Sequence, residues 1–206
     1  MQVGIEALRA IIKRLGHDVE CHREHLNALD AAVGDGDLGV SACNGFRAVC
    51  SRLDVPASDV GELLLRAGED IEDNAGATIG ALLGTALLKA GHAMAGKSEL
   101  TLPDIAAALQ AAETAIRVRG KADVGDKTIL DVLVPVRKSL VDAIADNAAL
   151  DEIVWRVRGA AERGVAYTVP LRAKFGRGRW IGARTEGHPD PGASLLHMMV
   201  ESVLRT

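Results

Sequence analysis

Three aspartates, Asp30, Asp35 and Asp37, fall within the stretch LDAAVGDGDLG (29–39), which contains no lysine or arginine. Two carboxylates about 5 Å apart repel by about 3 kcal/mol at an effective dielectric near 20, and a third multiplies the repulsion. A folded chain can splay such groups into water, protonate one, or bind a cation. Aspartate is common in turns, and Asp37 stands where it could cap a helix starting near Leu38. Against splaying, Gly34, Gly36 and Gly39 permit a tight turn that points successive carboxylates inward. Asp30 lies about one helical turn before Gly34, within reach of the same point. Only oxygen ligands are offered, which suits Mg²⁺ or Ca²⁺ and not zinc. The spacing fails as a calcium EF-hand: the bidentate-glutamate position is Ser41 counted from Asp30, and Phe46 counted from Asp35. Too few ligands for a full cage point to Mg²⁺ shared with phosphates.

The elements that must hold these groups are helical. The 206 residues suit one well-filled core. Nearly half are apolar, mostly Ala, Leu and Val, and only 2% are aromatic, a composition that favours closely packed helices. Helical spacing of apolar residues marks nine segments, beginning with Val3–Leu15, Cys21–Leu29, Val40–Leu53 and Val60–Ile71. The others are Ile79–Met94, Thr101–Val118, Thr128–Ala145, Leu150–Tyr167 and Ala193–Leu204. Ser58 is read as the N-cap of the fourth, and Thr101, Pro103 and Asp104 as the start of the sixth. Ile79–Met94, charged only at Lys89, reads as a central buried helix. No period-2 strand and no tandem repeat stands out. Residues 1–206 read as a single domain.

Composition also excludes partners. A net charge of −4 gives no basic footprint for nucleic acid. No uncharged run approaches the roughly 18 residues that cross a bilayer. Cys21, Cys43 and Cys50 form no CxxC pair, and the odd count suits a reducing compartment. The amphipathic N-terminus lacks a signal core. The expectation is a soluble, cytoplasmic protein with no membrane and no nucleic-acid partner.

Four glycine-containing polar loops stand out, GDGDLG (34–39), NAGATIG (74–80), RGKADVGDKT (119–128) and KFGRGRWIGARTEGHPDPGA (174–193); three lead directly into a helix, and the second sits at the start of the buried one. Helix N-termini offer free N–H groups and a positive dipole end. If the helices run up and down, several such ends meet at one rim.

The motifs LDAAVGDGDLG, GATIGALLGT, RGKADVGDKTILDVLVP and GRGRWIGARTEGHPDPGA, in this order, resemble the nucleotide-binding L subunit (DhaL type) of dihydroxyacetone kinases, which also occurs as the C-terminal domain of single-chain kinases. The resemblance covers almost the whole chain. It implies an all-α fold, a closed up-and-down barrel of eight antiparallel helices with the nucleotide at one end. It further implies ATP or ADP whose phosphates sit on two Mg²⁺ ions held by Asp30, Asp35 and Asp37. Implied nucleotide contacts are Leu38, Gly39, Ser41, Thr78, Ile79, Gly120, Ile129, Arg177, Asp190, Pro191 and Gly192. Arg177 is also the implied catalytic residue, a bidentate phosphate binder. Family kinases often carry histidine where this chain has Leu38 and serine where it has Ile79; Ser41 or Asn44 could supply the missing hydrogen bonds.

The resemblance implies a phosphotransferase active only with a separate K-type subunit that carries the ketose. In one branch ATP exchanges each turnover; in another, bound ADP is rephosphorylated by a phosphotransferase-system protein. The alternatives are a nucleotide-sensing regulatory subunit that binds a partner without transfer, and a helical scaffold without ligand. A homodimer is left open. Asp126 and Lys127 read as loop pins and a helix cap, His188 as a structural hydrogen-bonder, and His22 with His25, whose i,i+3 spacing could hold a metal but lacks acidic or cysteine partners, as surface or interface residues. Lys174, Arg172, Arg179 and Arg184 around Arg177 read as a solvated face or as a docking surface for the K-type subunit.

Overall fold

The computed structural model describes residues 2–205, the side chain of Ala77 excepted. Among the described residues there are ten α-helices: α1 (Ile5–Cys21), α2 (Arg23–Val33), α3 (Leu38–Arg52), α4 (Val60–Asn74), α5 (Ala77–Ala93), α6 (Leu102–Gly120), α7 (Leu130–Ala145), α8 (Leu150–Thr168), α9 (Gly178–Ile181) and α10 (Pro191–Leu204). A 3₁₀ turn spans Gly182–Thr185. Strands β1 (Gln2–Gly4) and β2 (Glu99–Thr101) pair antiparallel, with Val3 opposite Leu100. Three residues are too few to show a period of two, so neither strand was expected. The single-turn helix α9 inside the arginine-rich loop was not expected either.

The helices close into a ring. His22 alone separates α1 from α2, its φ/ψ of −99° and 6° leaving the helical region. α3 packs on α1 and α2 and then on α4; α5, α6, α7 and α8 follow in order; α10 packs on α8 and returns to α1. Counting α1 and α2 as one wall, this is the expected all-α barrel of eight elements. Polar contacts seal the closing edge: Arg14 Nε donates to the Ser202 carbonyl at 3.0 Å, and Arg205 pairs with buried Asp18 at 3.1 Å. Fully buried Leu26, Ile71, Leu130 and Leu195 anchor the interior from four walls.

The apolar helix α5 is a wall of this ring and not its axis. It lies between α4 and α6 and also touches α3, so three of its sides face protein, while Thr78, Lys89 and His92 meet solvent. Its glycines let α4 approach to backbone contact. A Cβ on Gly91 would stand 2.8 Å from the Gly61 carbonyl oxygen, and one on Gly84 2.9 Å from that of Gly68.

Capping fixes where the walls begin. Thr101 and Asp104 form the capping box expected of that start. The cap of α4 is Asp59, not Ser58: Asp59 accepts from Glu62 N at 2.8 Å, while the Ser58 hydroxyl donates to the Glu62 carboxylate at 2.6 Å. Either residue type can cap, and the reciprocal Glu62 bond moves the start by one position.

The α4–α5 seam yields a direct expectation. Gly91→Val should lower the urea unfolding free energy by about 2 kcal/mol, because the added carbons meet backbone that cannot yield. An unchanged midpoint would show that the seam tolerates separation.

Candidate functional site

The directions of the walls alternate, so α3, α5, α7 and α10 all begin at one rim. The loops before them line a cavity of ≈ 460 Å³. Its wall includes Asp30, Asp35, Asp37, Leu38, Thr78, Ile79, Gly120, Ile129, Arg177, Asp190, Pro191 and Gly192, which is the expected set apart from two residues. Gly39 and Ser41 stand behind the wall. A Cβ on Gly39 would run into the Arg23 carbonyl and come within 2.7 Å of Asn27 Oδ1, so this glycine serves the packing of α2 on α3. Ser41 is buried beneath Gly76, its hydroxyl 3.3 Å from where a Gly76 Cβ would be. Asn44 is exposed and accepts from Arg47. Neither Ser41 nor Asn44 therefore supplies the polar contact that Leu38 and Ile79 lack; both of those are buried apolar wall.

The aspartate loop is organised by its own first member. Asp30 Oδ2 accepts the backbone N–H groups of Gly36 at 2.8 Å and Asp37 at 3.0 Å. Gly36 has a φ of +80°, which favours glycine. Gly34 has no room for a side chain, because its Cβ would collide with Asp30 Oδ1. Asp37 occupies the N-cap position of α3 but spends no side-chain bond on capping; Asn27 Oδ1 instead accepts Val40 N at 3.2 Å. The Asp37 carboxylate is thereby left free of the helix, and one oxygen from each of the three aspartates lies within 4.8 Å of the others. Burial pushes the Asp30 carboxyl above its ordinary range, against the N–H bonds from Asp37 and Gly36 that pull it down.

A counter-charge arrives from far along the chain. Arg177 Nη1 donates to Asp35 Oδ1 and, at 3.3 Å, to Asp37 Oδ1, across 142 and 140 residues of sequence. A cation thus already sits against the cluster. All-oxygen donors, an Asp37 that makes no capping bond and a site that accepts positive charge fit Mg²⁺.

The 120–129 loop is built around buried polar groups. Asp131, fully buried, accepts Gly125 N at 2.6 Å and Thr128 N at 2.7 Å. Lys127 is buried in the left-handed conformation (φ 60°), and its ammonium donates to the Thr168 carbonyl at 2.7 Å and to the His188 carbonyl. Burial lowers its pKa, opposed by the charges of Asp190 and Asp131. Lys127 is the expected pin. Asp126 is not the expected cap: it accepts from Asp123 N at 2.8 Å and Lys174 at 2.6 Å, and Asp131 ties down the loop end. His188 contributes its carbonyl to the site's framework. His22 and His25 are exposed, as expected.

Asp190 caps α10, accepting Ala193 N at 2.8 Å, with Pro191 as the first helical residue. Burial pushes its carboxyl up to about 7, against the Ala193 N–H and the Lys127 charge. Arg119, Leu82, Ile116 and Phe175 also line the cavity; Leu82 and Ile116 are apolar residues inside helices, and Arg119 and Phe175 lie in two of the glycine loops without having been singled out there. The chemistry divides accordingly. Carboxylates and Arg177 stand on the α2–α3 side, and Leu82, Ile116, Ala122 and Ile129 on the side of α5, α6 and α7. Such a cavity suits a polyanion with an apolar ring, held with a divalent cation.

Several known proteins are similar to this chain. A family model described as the DAK2 domain matches residues 32–205. The chain is 31% identical over 191 residues to the PEP-dependent dihydroxyacetone kinase, ADP-binding subunit DhaL of Escherichia coli (strain K12), covering 92% of this chain and 91% of that protein. It is 32% identical to the corresponding subunit of the PEP-dependent dihydroxyacetone kinase 2 of Listeria innocua, covering 94% and 91%. It is 37% identical over 186 residues to the L-erythrulose 1-kinase of Mycolicibacterium smegmatis, covering 86% of this chain and 31% of that longer one. The crystal structure of the dihydroxyacetone kinase from C. freundii in complex with AMP-PNP and Mg²⁺ superposes with a TM-score of 0.73 at 26% identity, covering 95% of this chain. This chain spans 33% of that kinase.

Two expectations follow from the site's charges. Arg177→Ala should lower the Tm of metal-free protein and enlarge the rise that Mg²⁺ produces, because three carboxylates lose their counter-charge; an unchanged Mg²⁺ response would remove Arg177 from the cluster. Asp190, at about 7 folded against 3.8 ordinarily, contributes stability that is full below the ordinary value and is lost as pH rises to about 7. The Tm advantage of the parent over Asp190→Asn should therefore shrink between about pH 5 and pH 7. The loss should be about 2 kcal/mol over that window, roughly 4–8 °C; a pH-independent difference would leave the carboxyl untitrated there.

Proposed function

The chain belongs to the DAK2 domain family, and on that premise we propose that it is the nucleotide-binding, phosphoryl-transferring subunit of a two-component kinase for a small ketose such as dihydroxyacetone. The observation that carries this reading is the meeting of Asp30, Asp35 and Asp37 with Arg177 at the rim where four helices begin. Asp30 holds the loop through its backbone bonds, and Asp35 and Asp37 present free oxygens for two Mg²⁺ ions. Bound Mg²⁺ neutralises the phosphate oxygens as charge builds on them.

Arg177, released from Asp35 and Asp37, turns its planar fork to the transferring phosphoryl group. The start of α5, with the Thr78 hydroxyl, and the N–H groups of α3 receive the remaining phosphate oxygens; Leu38 and Ile79 keep water from them. Gly120, Ile129 and the Asp190–Pro191–Gly192 segment hold the adenosine portion. Positioning and electrostatics suffice for phosphoryl transfer, so no nucleophile is needed here.

The ketose is carried by a K-type partner subunit, and the kinase is active only with it. Similarity of 31% and 32% identity to two ADP-binding subunits of PEP-dependent kinases supports ADP as a resident cofactor, rephosphorylated in place by a phosphotransferase-system protein. The sensor alternative rests on Leu38 and Ile79, apolar where family kinases often carry histidine and serine.

The test is turnover of dihydroxyacetone and erythrulose by this chain with its K-type partner. Asp35→Ala should lower the rate by about 100-fold or more and abolish the Tm increase given by Mg²⁺ with ADP. Binding of ADP without turnover of any ketose would favour the sensor, and no Tm response to Mg²⁺ and ADP would favour a scaffold.

A further inference from the structure

A second cavity, ≈ 620 Å³, opens on the outer face of the ring between α7 and α8. Nothing in the nucleotide reading uses it. Its volume is in the range of small-molecule sites. The chain has two tryptophans, one tyrosine and two phenylalanines, and one tryptophan and the tyrosine stand here. Trp155 is 72% exposed and Tyr167 50%. Solvent-facing aromatics in so aromatic-poor a chain contribute little to the core, and they suit stacking on a ligand ring.

Three cationic side chains, Lys138, Arg156 and Arg163, and two carboxylates, Asp131 and Asp142, line the groove. Arg156 is held by Asp146 and Glu152. Lys138 and Arg163 line the groove, and neither makes an ion pair or a side-chain hydrogen bond among the described residues. Asp142 also lines it, one turn along α7 from Lys138, and the Asp131 carboxylate is spent on Gly125 and Thr128. Arg163 is laid along α8 over Gly159: a Cβ there would stand 2.9 Å from Arg163 Nη1. The guanidinium is thereby carried one turn back along the helix, in the direction of Trp155.

The groove shares a wall with the nucleotide cavity. Val124 faces the groove, while Ala122, Lys127 and Thr128 of the same loop face the other cavity. A Cβ on Gly125 would lie 3.6 Å from the Tyr167 hydroxyl, and Asp131 clamps the loop from the groove side.

We infer that the α7–α8 groove is a binding site for a flat aromatic anion, a ring bearing a single carboxylate or sulfonate. The ring stacks on Trp155 and Tyr167, and the anion takes up Lys138 and Arg163. Its occupation stiffens the 121–129 loop that borders the nucleotide cavity.

The probe is 8-anilinonaphthalene-1-sulfonate on the full chain, with N-phenyl-1-naphthylamine as the neutral analogue. Expected are saturable binding of the sulfonate, binding of the neutral compound at least tenfold weaker, and a tenfold or greater loss of sulfonate affinity in Arg163→Glu and in Trp155→Ala. Both sites are exposed, so the variants should keep the parent Tm. Backbone amides of 121–129 should exchange several-fold more slowly with deuterium when the sulfonate is bound. Binding should persist at saturating Mg²⁺ and ADP; if ADP does not bind at all, the nucleotide reading fails, and the variants and exchange still decide this one. Full displacement by ADP, unchanged affinity in the variants, or unchanged loop exchange would overturn it. So would variants that keep sulfonate binding but lose capture of the ketose-binding subunit, which would make the groove a protein interface.

Discussion

In a closed ring of antiparallel helices, every second wall starts at the same rim. That constraint brings together residues from Asp30 to Gly192 that no local interaction could gather. The starts of α3, α5, α7 and α10 deliver four sets of backbone N–H groups to one end of the barrel. The ring also fixes which chemistry faces which. α3 and α7 stand four walls apart, so the carboxylate loop and the apolar side of the cavity approach from opposite sides. Glycines at the α4–α5 seam and at Gly39 keep the walls close enough for the loops to touch.

Within that frame the site tolerates charge that would otherwise repel. Asp30 satisfies two backbone N–H groups, Asp37 is spared from capping by Asn27, and Arg177 sits against Asp35 and Asp37. The arrangement is polarised in advance: a positive group stands where the proposed function needs one, and the carboxylates are aimed before any ligand arrives. Buried Lys127 and Asp131 do comparable work for the 120–129 loop, holding it by bonds to backbone so that both of its faces keep fixed walls.

Much of this was legible in the sequence because it is written in helical period and in glycine. The nine apolar stripes mark the major helices, since Ala and Leu at helical spacing admit little else. The four glycine loops mark the rim, and the aspartate spacing marks its cation-attracting corner. What stayed hidden is set by partners distant in sequence. Nothing near Asp35 announces Arg177, nothing in GDKTILD distinguishes Asp126 from Asp131 as the helix-end ligand, and Gly39 and Ser41 lie one layer behind the wall their neighbours form. The strands at Gln2–Gly4 and Glu99–Thr101 exist only as a pair, so neither segment carries the signal alone. α5 reads as axial because three protein-facing sides leave the same apolar trace as four.

The central claim is that the Asp30, Asp35 and Asp37 cluster receives a divalent cation together with a nucleotide, and that Arg177 yields its place. Crystals grown with Mn²⁺ and ADP test this through the anomalous signal of the metal. The account predicts Mn²⁺ peaks bounded by the three aspartates and the ADP phosphates, with Arg177 turned from Asp35 towards those phosphates. Metal bound elsewhere, or Arg177 still bridging Asp35 and Asp37 beside bound ADP, would contradict it.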